Sequence, residues 1–118
     1  MKYLVVDDSK LARLSLIKSL KGQVGDDAEI FQATNGEEAI ALMHSEKANI
    51  VFLDLTMPIM DGYAALPKLL EINSNAKIIV VSADVQQRAQ DIVIGLGAQI
   101  HVQKPINAQK MQDILEII

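Results

Sequence analysis

The sequence predicts an α/β fold, a doubly wound five-stranded parallel sheet flanked by five helices, and three observations predict it. Apolar runs of strand length recur at five places, Tyr3-Val6, Ala28-Ala33, Ile50-Leu53, Lys77-Val81 and Gln99-Val102. Each is separated from the next by a segment of helical spacing or length, which makes five β/α units. The two middle runs, Ile50-Val51-Phe52-Leu53 and Ile78-Ile79-Val80-Val81, are apolar at every position instead of alternating. Strands of that kind belong to a parallel sheet covered on both faces, so helices must lie on both sides.

The elements follow in order. Ser9 is a good N-cap for a first helix that carries Ala12, Leu16, Ile17 and Leu20 inward and is stopped by Gly22 and Gly25. A second helix follows Asn35-Gly36, with Ala39, Ile40 and Met43 on one face. A third lies within Tyr63-Ile72, where Pro67 weakens the assignment. In the fourth, Ala89, Ile92, Val93 and Leu96 form one inward stripe, and Gly95 and Gly97 mark its end. The fifth, after Asn107, repeats the pattern with Met111, Ile114, Leu115 and Ile118.

At 118 residues the chain is expected to form one domain, residues 1–118, with nothing left over for an output domain. Half the residues are apolar, yet only two Phe, two Tyr and no Trp contribute, so the core is built from aliphatic side chains, Met and Ala. The formal net charge of −4 offers no chain-wide attraction for nucleic acid or an anionic membrane. The absence of cysteine excludes a disulfide framework, a thiolate metal site and a cysteine nucleophile. Acid interrupts the first apolar stretch at Asp7-Asp8, too early for a signal peptide or a span, so a cytoplasmic protein is expected.

Four of the five strands end on residues with phosphate or metal chemistry: Asp7 and Asp8, Asp54, Ser82 and Lys104. Parallel topology brings these ends to one edge, where open α/β sheets bind ligands. Three carboxylates gathered there repel one another unless a hard divalent cation joins them, and Mg2+, or Mn2+ in its place, fits best. Lys104 supplies a compact positive charge for a carboxylate or a phosphoryl oxygen, and Ser82 a hydroxyl for a second oxygen. In such surroundings a carboxylate can act as nucleophile and become an acyl phosphate. Asp54, at the end of the most apolar strand, is the candidate.

Each residue taken alone has a plainer reading. Asp7-Asp8 could be a helix cap, Ser82 could cap the fourth helix, and Lys104 could be a surface lysine. Asp61-Gly62 would be an ordinary turn in the loop Met57-Gly62. Asp26-Asp27 has no partner motif and reads as a solvated turn, His44 reads as surface, and His101 as a packed, partly exposed strand-end residue. Only the shared edge favours the chemical reading.

Four motifs stand in order: Val5-Val6-Asp7-Asp8-Ser9, Asp54-Leu55-Thr56-Met57-Pro58-Ile59-Met60-Asp61-Gly62, Val81-Ser82-Ala83 and Lys104-Pro105. With them the whole chain resembles the receiver domains of bacterial two-component response regulators, most closely the stand-alone, chemotaxis-regulator type. The resemblance implies a flavodoxin-like (βα)5 fold with strand order 2-1-3-4-5. It further implies phosphorylation of Asp54 by a histidine kinase, magnesium on Asp7, Asp8, Asp54 and the Thr56 backbone carbonyl, and phosphoryl contacts from Ser82 and Lys104. The family's Lys-Pro peptide is commonly cis, which would orient Lys104 into the site. Such a protein is a switch and catalyses only its own phosphorylation and dephosphorylation.

Ser82 and His101 would be the moving parts. The family usually carries Tyr or Phe three residues before the lysine, and this chain has His101 there. Thr56 and Asp84 occupy positions that in the family tune the lifetime of the phosphoryl group. The implied readout is the surface of the fourth helix, fifth strand and fifth helix. Expected partners are a kinase and a flagellar motor switch protein or a histidine phosphotransfer protein, with a monomer or weak dimer as the unit. Draining phosphoryl groups from a kinase or relaying them are alternatives, as is phosphorylation-independent docking. An FMN module is disfavoured because Asp7-Asp8 would repel its phosphate. A phosphatase of the haloacid dehalogenase type would need Asp-x-Asp instead of adjacent aspartates.

Overall fold

The computed structural model describes residues 1–84 and 86–118. Among them, five strands alternate with five helices. They are β1 (Lys2–Val6), α1 (Lys10–Val24), β2 (Glu29–Ala33), α2 (Gly36–Glu46), β3 (Ile50–Leu53), α3 (Gly62–Ile72), β4 (Lys77–Ser82), α4 (Gln87–Gly95), β5 (Ile100–Gln103) and α5 (Ala108–Ile117). All strand pairs are parallel, and the sheet order is β2-β1-β3-β4-β5, as the resemblance implied.

Alternation along each strand divides the core into two layers. Leu4, Val6, Val51, Leu53, Ile78 and Val80 pack with buried residues of α2, α3 and α4. Tyr3, Val5, Phe52, Ile79 and Val81 face α1 and α5, where Leu16, Ile17, Leu20, Met111 and Ile114 are buried. This accounts for the unbroken apolar runs of β3 and β4, which have a helical layer on each face.

Three details depart from the sequence expectations. Gly22 lies within α1 instead of stopping it; the helix ends at Gly25, whose φ of 86° favours glycine and whose N–H donates to the Lys21 carbonyl. Ile92 is 41% exposed, because α4 buries only the narrower stripe of Ala89 and Val93. Asp61-Gly62 is the start of α3 and not a free-standing turn: Asp61 Oδ1 accepts the Ala64 N–H at 2.9 Å. Pro67 is accommodated inside α3, where burial of Ala65, Leu66 and Leu69 outweighs the local cost.

Gly62 is required by close approach. Its N–H donates to the Leu55 carbonyl at 3.0 Å, and a Cβ added there would strike the backbone carbonyl oxygen of Asp54. The amino end of α3 is thereby pressed against the end of β3, fixing the loop beyond Asp54.

Candidate functional site

Backbone pairing places the acidic residues. Val6 pairs with Leu53, and beyond that pair the Asp54 N–H donates to the Val6 carbonyl at 2.9 Å while the Asp7 N–H donates to the Ala33 carbonyl at 3.1 Å. Asp7 and Asp54 are thus the first residues past the carboxyl ends of adjacent strands, and both are 6% exposed. Asp8, the next residue, is exposed. Carboxylate oxygens of Asp7, Asp8 and Asp54 lie within 4.8 Å of one another.

Lys104 is drawn to the same point. Its Nζ lies 2.7 Å from Asp7 Oδ2 and 3.4 Å from Asp54 Oδ2, and the Lys104–Pro105 peptide is cis. The remaining oxygens are held by the backbone: the Ser9 N–H donates to Asp7 Oδ1 at 2.9 Å and the Leu55 N–H to Asp54 Oδ1 at 2.9 Å. Burial, and then the neighbouring Asp7 charge, push the Asp54 carboxyl above the usual carboxylate range, and Lys104 only partly offsets them. For Lys104, burial works to lower its affinity for a proton. The bond to Asp7 and the charges of Asp54 and Asp7 together outweigh it and raise the ammonium above its ordinary value.

The donor set suits a hard divalent ion: oxygen ligands only, an excess of negative charge, and one carboxylate already destabilised in its ionised form. A small cavity of about 90 Å3 adjoins the cluster, between Asp7, Lys104, Leu16 and Ile106. It is well below the size of ordinary small-molecule pockets.

Ser82 ends β4 and is 3% exposed; its Oγ accepts the Asp84 N–H at 3.1 Å. It therefore organises the start of the loop and does not cap α4. Leu53 pairs with Val80, so Asp54 and Ser82 leave neighbouring strands at nearly the same level. Thr56 is exposed two residues beyond Asp54. His101 is set apart from the acids. It pairs with Val80, while its neighbours Ile100 and Val102 pack in the α1 and α5 layer, so its ring faces the α4 side. Its Nδ1 and Nε2 are buried and are the only buried side-chain polar atoms without a hydrogen-bond partner among the described residues. Asp26 and Asp27 are exposed in a turn and His44 is exposed on α2, as the sequence suggested.

Sequence reasoning passed over Arg13, which braces the β1–α1 loop: its Nη1 donates to the Asp7 carbonyl at 2.8 Å and its Nε to Gln32 Oε1 at 3.0 Å. The available signal was its place one turn after the Ser9 cap, since its N–H donates to the Ser9 carbonyl.

Residues 3–116 match the response regulator receiver domain, and the chain belongs to that family. It is 35% identical over 114 residues to the chemotaxis protein CheY of Thermotoga maritima, covering 97% of this chain and 93% of that one. It is also 33% identical over 117 residues to a protein-glutamate methylesterase/protein-glutamine glutaminase of Paramagnetospirillum magneticum, covering 94% of this chain but only 29% of that protein. Among solved structures, it superposes on the CheX–CheY–BeF3–Mg complex of Borrelia burgdorferi with a TM-score of 0.81 and 28% identity. That match covers 99% of this chain and 85% of the other. The fold and family are those of a CheY-like receiver, the class of phosphorylation-dependent signalling switches.

Proposed function

We propose that the chain accepts a phosphoryl group from a histidine kinase onto Asp54, in a reaction dependent on Mg2+ held by Asp7, Asp8, Asp54 and the Thr56 backbone carbonyl. The observation that carries this reading is Lys104 bridging Asp7 and Asp54 inside a cluster of three carboxylates. An Asp54 carboxylate oxygen attacks phosphorus as the bond to the donor's leaving group breaks, giving an acyl phosphate. When bound, Mg2+ offsets the negative charge that would otherwise repel the donor. Lys104 moves from carboxylate to phosphoryl oxygen, and Ser82 donates its hydroxyl proton to another.

The phosphoryl group adds about −1.5 to −2 charge at Asp54. Drawing Ser82 toward it shifts the segment leading into α4, repositions His101 and changes the surface made by α4, β5 and α5. Among these elements α4 carries the exposed Ile92 and Ile94, and α5 the exposed Ile117. A downstream protein reads it as part of a single receiver domain acting in the cytoplasm as a monomer or weak dimer. Among the described residues no helix is long and apolar enough to cross a membrane, and coverage of nearly the whole CheY relative favours a chemotaxis output.

The test is intact-protein mass after incubation with acetyl phosphate, with and without Mg2+, on the wild type and Asp54→Asn. A single Mg2+-dependent phosphoryl adduct absent from the variant is the expected result; an equal adduct on Asp54→Asn would sink the assignment. Lys104→Ala should still bind Mg2+ but fail to signal, and normal signalling by that variant would remove Lys104 from the mechanism.

A further inference from the structure

We propose that Arg13 is a positioning residue that locks the Asp7–Asp8 peptide and thereby aims the Asp8 carboxylate at the divalent ion, an inference that rests on the metal reading above. Asp7 is anchored through its own atoms, by Ala33, Ser9 and Lys104. Asp8 has an exposed side chain, and among the described residues no hydrogen bond holds its carboxylate. Its direction depends on the peptide that precedes it. Because that peptide is a rigid plane, fixing the Asp7 carbonyl fixes the Asp8 N–H and the approach to the Asp8 Cα.

Arg13 supplies the fixing contact, with Nη1 on the Asp7 carbonyl at 2.8 Å. The guanidinium is itself braced, since its Nε donates to Gln32 Oε1 at 3.0 Å from the neighbouring strand β2. A planar fork held at two points orients its acceptor better than a single flexible donor. Charge points the other way. A cation near the acid cluster repels a divalent ion, so an Arg13 acting only through its charge would weaken metal binding. A positioning Arg13 strengthens it. The two roles predict opposite signs.

Mg2+ titrated calorimetrically into wild type, Arg13→Ala, Arg13→Lys and Asp8→Asn separates them, with melting of the metal-free proteins as the check on folding. Arg13→Ala is expected to bind Mg2+ about tenfold more weakly, the usual scale for loss of a group that orients a metal ligand. Arg13→Lys, which keeps the charge but offers one unbraced flexible donor, should recover only part of that loss and bind between wild type and Arg13→Ala. Unchanged or tighter binding by Arg13→Ala, or Arg13→Lys no better than Arg13→Ala, overturns the inference. If Arg13→Ala does not fold, Gln32→Ala at its exposed position carries the test: weaker Mg2+ binding supports the bracing and unchanged binding overturns it. A wild type that does not bind Mg2+, or an Asp8→Asn that binds as well as wild type, defeats the metal reading itself. Loss in Asp8→Asn with full binding in Arg13→Ala defeats only the role of Arg13.

Discussion

The acid corner and the α4 corner of the same sheet edge are held very differently. At the acid corner, Asp7 and Asp54 are tied by backbone pairing, by Ser9 and Leu55, by Lys104 and, through the Asp7 carbonyl, by Arg13. Helices α1, α2, α3 and α5 each begin on a side-chain cap, from Ser9, Asn35, Asp61 and Asn107. At the other corner α4 begins on Gln86 without a side-chain cap, the two His101 ring nitrogens have no hydrogen-bond partner among the described residues, and Ile92 and Ile94 face solvent. The difference separates a corner whose side chains are tied in place from one whose native packing forgoes available stabilisation. Segments that move in switching come from the less stable end of a structure.

Four experiments break or sharpen this contrast. Gly62→Ala attacks the well-held corner and should have the largest effect, a loss of about 3 kcal/mol in urea unfolding, because the new methyl meets backbone at Asp54. His101→Phe tightens the other corner by replacing two desolvated nitrogens with carbon, for an expected gain of about 1.5 kcal/mol by the same measurement. Gln86→Asp gives α4 the side-chain cap its siblings have and should add about 1 kcal/mol, read as a rise in melting temperature.

The smallest effect is tied to pH. Because the folded Asp54 carboxyl titrates above its unfolded value, the native state keeps a proton that the unfolded state has already lost. Wild-type stability therefore falls as pH rises from the ordinary carboxylate range through the raised folded value. Asp54→Asn lacks this loss and should exceed wild type in thermal unfolding at neutral pH without divalent ions, with the gap closing as pH falls. Saturating Mg2+ should narrow or reverse the gap by stabilising the wild type, with its full ligand set, more than the variant.

The sheet was legible because its central strands, β1, β3 and β4, are buried on both faces and their apolar runs have no helical phase. The acid corner was legible for a related reason: Asp7, Asp8, Asp54 and Lys104 interrupt or follow those runs, and parallel pairing carries strand ends to one edge. What escaped depends on contacts distant in sequence. Arg13 acts on a backbone carbonyl and on Gln32, 19 residues away, and neither partner leaves a mark on the pattern around it. Asp and Gly serve turns and helix starts alike, so only the backbone distinguishes the two at Asp61-Gly62. Ile92 lies at the margin of the α4 stripe, where helical phase alone does not tell buried from exposed. The orphaned nitrogens of His101 depend on what α4 and the sheet withhold from it.

The strand order has a further bearing on how the chain is made. β1 is synthesised first yet lies inside the sheet, between β2 and β3. One edge of Tyr3-Val6 therefore stays unpaired on a growing chain until Ile50-Leu53 has emerged. Unpaired apolar strands invite pairing with other chains. Asp7 and Asp8 follow this one directly, and adjacent charges are the usual gatekeepers against such association. The carboxylates that gather at one edge of the folded sheet thus also flank the nascent strand with charge, before that edge has formed.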